Sequence, residues 1–210
     1  MSTIEARTPR RDAVDNRAAL LAAARVVFAN NPDASLDAVA AQAGLSRRSV
    51  YGHFANREDL QRELVTLGAQ RVTAALESVD HADPIIRLAL IGAGLWREVA
   101  SVRVMALFAV RGDLRQHSAA GLAPLRARVL DAVREAAAAA GETRTDIPAE
   151  RLARLVEDAA LAVLEESTRS ELSPAQGHRL VMQGILAVLG LGWREANQLI
   201  DSTSELDADA

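Results

Sequence analysis

Between Ser35 and Asn56 the chain carries three residues of the kind that close helix N-termini, each followed by apolar positions at helical spacing. Ser35 precedes Leu36, Val39, Ala40 and Ala43, and Asp37 in its first turn suits the helix dipole. Ser46 precedes Val50, and Leu45 and Val50 have the spacing of a hydrophobic staple. Asn56 with Asp59 resembles a capping box, with Ala55 and Leu60 as its staple. Gly44 stands between the first two helices, where a left-handed C-terminal residue is wanted. Upstream, Leu20, Leu21, Ala24, Val27 and Phe28 form one stripe of a helix capped by Asp12 or Asp15 and ended by Asn30-Asn31-Pro32. Four helix starts lie within the first 56 residues, each marked by its own cap.

Composition agrees with helices throughout. Half of the 210 residues are hydrophobic but only 3% are aromatic, so the core is one of Ala, Leu and Val. There is no cysteine, which removes disulfides and thiolate metal sites. The sequence has no charged segment leading into an apolar one, and no apolar run of membrane length, which points to a soluble, cytoplasmic protein. The formal net charge of -4 gives no global sign of a nucleic-acid partner. The distribution does: residues 1–62 hold nine arginines against seven acids, and residues 63–210 hold fifteen against twenty-one. Every basic side chain is arginine.

Two short helices joined by Ala43-Gly44-Leu45 make a helix-turn-helix, whose second helix can enter a DNA major groove. In the second helix Val50 and Phe54 share the inner face, leaving Arg47, Arg48, Ser49, Tyr51 and Gly52 outward. Arginine reads guanine bidentately, so Arg47, Arg48 and Ser49 are the candidate base contacts. Tyr51 and His53 offer donors to phosphates. The plainer alternative is an amphipathic helix whose polar face is merely solvated.

The stretch "SLDAVAAQAGLSRRSVYGHFANREDLQREL", residues 35–64, resembles the DNA-binding domain of the tetracycline-repressor (TetR) family of bacterial transcription regulators. The matching features are Ser35, Ala43-Gly44-Leu45-Ser46, Tyr51-Gly52-His53-Phe54 and Arg57. Arg47-Arg48 departs from the smaller residues many members carry there, which leaves the operator open. The resemblance implies phosphate contacts from Ser35, Tyr51, His53 and Arg57, and an all-α homodimer on a palindromic operator. It also implies release by a small-molecule effector held in a larger C-terminal domain. The chain then divides into a basic arm (1–11), a three-helix helix-turn-helix domain (12–62), an effector-binding and dimerisation domain (63–201) and a disordered acidic tail (202–210).

Within the larger domain, residues 83–100 are apolar nearly all round, the mark of a central helix. Family resemblance places the effector among such middle helices, where Trp96, Met105 and Phe108 are the adaptable large groups and Arg103 and His117 the polar candidates. Arg97, Arg103, Arg111 and Arg115 recur nearby as candidates for an acidic effector, although surface solvation accounts for most of them. After a break at Gly141–Pro148, Asp146 is positioned to cap a helix with the stripe Leu152, Leu155, Val156, Ala159 and Val163. Ser173-Pro174 opens another with Leu180, Val181, Gly184, Ile185 and Val188. Two such faces can pair with their two-fold mates as a four-helix bundle, the interface the resemblance implies, or pack only on their own subunit. The four histidines lack metal-ligand spacing, and no phosphate loop or nucleophile motif is present. No metal, cofactor or catalytic residue is therefore expected. A DNA-binding architectural protein or partner scaffold without an effector is the alternative, though it leaves a large acidic, apolar domain without a purpose.

Overall fold

The computed structural model describes residues 9–111, 114–139, 143–170 and 172–207, and every regular element among them is helical. The N-terminal part consists of α1 (Pro9–Asn30), α2 (Leu36–Gln42), α3 (Arg47–His53) and the first half of α4 (Arg57–Ala75). There follow α5 (Pro84–Val99), a 3-10 turn (Ala100–Val102), α6 (Arg103–Arg111), α7 (Arg115–Ala138), α8 (Ala149–Arg169), α9 (Pro174–Leu189), α10 (Trp193–Ser202) and the short α11 (Ser204–Asp207).

The caps read at Ser35, Ser46, Asn56 and Ser173 make their bonds. Ser35 Oγ accepts from Ala38 N, Ser46 Oγ from Ser49 N, and Asn56 Oδ1 from Asp59 N at 2.8 Å. Ser173 and Gln176 form a reciprocal capping box with Pro174 at the first helical position. Gly44 follows α2 at φ +68°, the left-handed geometry that lets the chain turn sharply into α3.

Three expectations are corrected. α1 already includes residues 9–11 of the segment assigned to a free arm and runs on through Asp12 and Asp15, so neither aspartate caps it; residues 1–8 lie outside the described residues. Asp146 does not cap α8. Its carboxylate is held by Arg144, Nε–Oδ1 3.0 Å and Nη2–Oδ2 2.7 Å, which keeps it below the usual carboxylate range, and α8 starts after Pro148. The acidic tail is helical as far as Asp207, with Leu206 buried and its carbonyl 3.2 Å from His178 Nε2 of α9. One leucine with a prepared partner outweighs the surrounding charge. Residues 208–210 and Gly141 lie outside the described residues.

Two apolar clusters organise the chain. Leu20, Phe28, Leu36, Val39, Val50, Phe54 and Leu60 form the smaller, joined by Met105 and Leu114 from further along. The larger is built around α5, with α7, α8 and α9 packed on it. The boundary drawn at residues 62–63 falls inside α4, an unbroken helix. Its Leu64 and Val65 belong to the first cluster, and its Val72 and Leu76 to the second. Any turn of α4 is therefore felt by both. α7 grips α4 and the segment that follows it: Thr73 Oγ1 donates to the Gly121 carbonyl at 2.7 Å, and Arg128 donates to the carbonyls of Leu76 and Val79.

Candidate nucleic-acid interface and core cavity

Val50 is fully buried and Phe54 nearly so, which fixes the inner face of α3 against α1 and α2. Arg47, Arg48, Tyr51 and Gly52 are exposed, and Ser49 and His53 half-buried. Nothing lies within 4 Å of where a Gly52 side chain would begin, so this turn of backbone is open to close approach. The two arginines differ. Arg47 folds over the Tyr51 ring, 5.5 Å from its centroid, with Nε 3.3 Å from Asp37 Oδ1 in an ion pair outside hydrogen-bond geometry. Arg48 has no ion pair or hydrogen bond among the described residues.

Of the residues assigned to phosphate, Tyr51 is 47% exposed and ready. Ser35 Oγ already serves as the α2 cap but keeps its hydroxyl proton to donate. Arg57 has a second occupation: Nη1 donates to the Asp33 carbonyl at 3.1 Å and lies 3.3 Å from its carboxylate, bracing the turn between α1 and α2. Gln61 braces the same turn through the Pro32 carbonyl at 2.9 Å.

Sequence reasoning missed the residue that holds α3 from behind. Arg17 of α1 stacks on Phe54 at 4.8 Å from the ring centroid and donates to the His53 carbonyl at 3.4 Å. Its guanidinium also makes a two-pronged ion pair with Glu63 of α4. One side chain thus ties the C-terminal end of α3 to both flanking helices. These contacts join residues far apart in the chain, and no local spacing announces them.

The second site is a cavity of about 700 Å³ whose wall runs from α1 and α4, past α5, α6 and α7, to α8 and α9. Trp96 and Met105 line it, as expected from the sequence. Trp96 is anchored rather than loose: Nε1 donates to the Pro174 carbonyl at 3.0 Å, and the ring lies flush on Gly177, where a Cβ would sit 1.8 Å from it. Arg103 and His117 are not part of the described wall. Arg103 is exposed at the start of α6 and donates to the Ala100 carbonyl, and the His117 ring lies beside Gln116 in the first turn of α7. The side chains of Phe108 and Arg111 lie outside the described residues. The polar group that sequence reasoning missed is Arg126 of α7, paired with Glu157 of α8 through Nε at 3.1 and 3.0 Å. The hydrogen bond to Glu157 raises the Arg126 pKa further above its ordinary value.

The stripes assigned to a dimer interface divide in two. Leu152, Val156, Val163, Val181 and Ile185 are buried within the chain, because α8 and α9 pack on each other and α9 on α5. Their side chains face the chain's own core. Leu155, Ala159, Leu180, Gly184 and Val188 keep surface, with Leu155 38% exposed.

Comparison with known proteins follows the same division. Residues 20–64 match the family model described as bacterial regulatory proteins, tetR family. Among solved structures, the TetR-like transcriptional regulator LfrR from Mycobacterium smegmatis in complex with proflavine is 20% identical with TM-score 0.66, covering 87% of this chain and 99% of that one. The transcriptional regulator FadR from Bacillus subtilis in complex with stearoyl-CoA is 17% identical with TM-score 0.69, covering 82% and 97%. SmeT, the repressor of the Stenotrophomonas maltophilia multidrug efflux pump SmeDEF, is 22% identical with TM-score 0.62, covering 81% and 88%. At these identities the likeness establishes the fold. No protein of curated function matches the sequence significantly.

Proposed function

Because residues 20–64 match the model of the tetR family of bacterial regulatory proteins and the chain has the fold of such regulators, we propose that it is a ligand-responsive DNA-binding repressor. One observation carries this reading: a single cavity is walled both by α1 and α4, which hold the helix-turn-helix, and by the central helices of the larger domain. Whatever fills it touches both bodies at once. An occupant that fits better when α1 and α4 are displaced shifts the population toward that arrangement, by no more than its difference in affinity for the two. Structures of this fold hold small molecules as different as proflavine and stearoyl-CoA, which supports an effector in this chain too.

In this reading α3 lies in the major groove. Arg47, Arg48 and Ser49 face base edges, and Ser35, Tyr51, His53 and Arg57 hold the backbone. Two copies pair through Leu155, Ala159, Leu180, Gly184 and Val188, which sets two α3 helices on the half-sites of a palindrome. The site of action is the cytoplasm, where the operator is; no helix among the described residues is long and apolar enough to cross a membrane. A gel shift on the promoter beside the protein's own gene tests this. Saturable, salt-sensitive and sequence-dependent binding is expected, lost on adding the effector, whereas an architectural protein binds all DNA alike and a scaffold binds none.

A further inference from the structure

The cavity wall states a chemical class. Its apolar part is aliphatic, running from Val102 and Met105 through Leu88, Ile91 and Leu125 to Leu164. Trp96 is the only aromatic among the described lining residues, and its ring is already packed on Gly177. A flat aromatic ligand therefore finds no pair of rings to lie between. The reach of the wall from α1 to α9 suits an extended chain better than a compact ring system.

The charged lining fixes the sign. Four guanidinium groups, Arg25, Arg71, Arg126 and Arg154, stand against two carboxylates, Glu150 and Glu157. Both carboxylates are engaged, Glu157 by Arg126 and Glu150 by Arg134 at 2.8 Å. A cation entering this space meets no free carboxylate among the described residues; an anion meets surplus arginine.

One arginine is prepared. Arg126 is half-buried and oriented by Glu157 through Nε and Nη2, so Nη1 keeps N–H groups to donate. By contrast, Arg71 is turned to the Glu98 carbonyl and carboxylate, and Arg25 is exposed. Holding a guanidinium in place before the ligand arrives removes part of the ordering cost of binding.

We propose that the cavity takes a long-chain aliphatic anion, its chain along the aliphatic wall and its charged head on Arg126, with Glu157 as the positioning residue. The proposal rests on reading the cavity as the effector site. The negative head is either the chain's own carboxylate or the phosphates of a carrier joined to it by a thioester, and the two are separable.

The test uses the full chain carrying Trp193→Phe, so that emission reports Trp96 alone. Hexadecanoate, hexadecanoyl-CoA, hexadecan-1-ol and an acridinium dye are titrated below micellar concentrations, with Trp96 emission and melting temperature as readouts. At least one of the two anions should shift both signals over one concentration range, and the tighter of the two identifies the head. The alcohol should bind about tenfold or more weakly than that anion, the loss expected when a charged hydrogen-bond partner is removed. Arg126→Met, which keeps the apolar stem, should erase the difference between anion and alcohol while leaving alcohol binding intact. Equal affinity of anion and alcohol in the unmutated pocket overturns the proposal without any variant, as does a failure of both anions to bind. Binding of the dye alone, with release of promoter DNA, overturns the ligand class and leaves the repressor reading standing. Binding of an anion that never loosens DNA supports the site and its class, and removes the effector role instead.

Discussion

At the scale of single residues, the two exposed arginines of α3 are not equivalent. Arg47 lies against Asp37 and Tyr51, so binding a base requires it to leave both, whereas Arg48 has no ion pair or hydrogen bond to leave among the described residues. Arg47→Ala should lower operator affinity by about 1–3 kcal/mol and relax preference at one position per half-site. Asp37→Asn should tighten operator binding, since it removes the competing charge; unchanged affinity in a quantitative gel shift would show that the pair costs nothing to break. Arg17 calls for a different outcome. Its charge is matched by Glu63 and its contacts are all internal, so it holds α3 rather than touching DNA. Arg17→Ala should destabilise the protein by about 1–2 kcal/mol, a half-exposed pair counting for less than a buried one. It should also weaken operator binding with the salt slope unchanged, because no phosphate contact is removed. A slope shallower by about one would make Arg17 a phosphate ligand after all.

At the scale of helices, what the sequence made legible was whatever is decided within one turn. Ser35, Ser46, Asn56 and Ser173 each cap the helix that follows, and Gly44 takes the left-handed turn, because a cap involves only residues three or four apart. Asp146 misled because Arg144, two residues away, competes for the same carboxylate. The exposed face of α3 was legible from Val50 and Phe54 alone. Arg17–Glu63, Arg126–Glu157 and Leu206–His178 were not, since each joins elements that only the fold brings together. The seat of Trp96 belongs to this last group. Gly177 is glycine because a side chain there would occupy the indole's place. Gly177→Ala should therefore destabilise by about 1–3 kcal/mol through overpacking and shift Trp96 emission. Leu206→Ala should cost about 2–5 kcal/mol, the range for a buried leucine, although the surrounding sequence reads as a solvated tail. Thermal melts of the two variants check both figures.

At the scale of the whole molecule, the proposed reading of two half-sites requires two copies held at a fixed spacing, and we place their contact on the outer face of α8 and α9. The sequence supplied apolar stripes on both helices but could not separate the side that faces the chain's own core from the side that faces outward. Burial separates them: Leu152 is fully buried, whereas Leu155, less than one turn on, is 38% exposed. The same substitution at these neighbouring positions should therefore have opposite consequences. Leu152→Glu places an unpaired carboxylate in the protomer core and should abolish the folded state, as seen by loss of the cooperative melt. Leu155→Glu sets a carboxylate at the surface of α8, where its own protomer tolerates it and a two-fold partner would bring the same charge against it. It should give a folded monomer by sedimentation, with Trp96 still in its seat and emitting as before. That monomer should lose the operator binding that depends on both half-sites and keep only the weak, salt-dependent affinity of a single helix-turn-helix. If Leu155→Glu stays dimeric and binds the operator at full strength, the two copies meet through another face, and the exposed apolar groups of α8 and α9 have a different use.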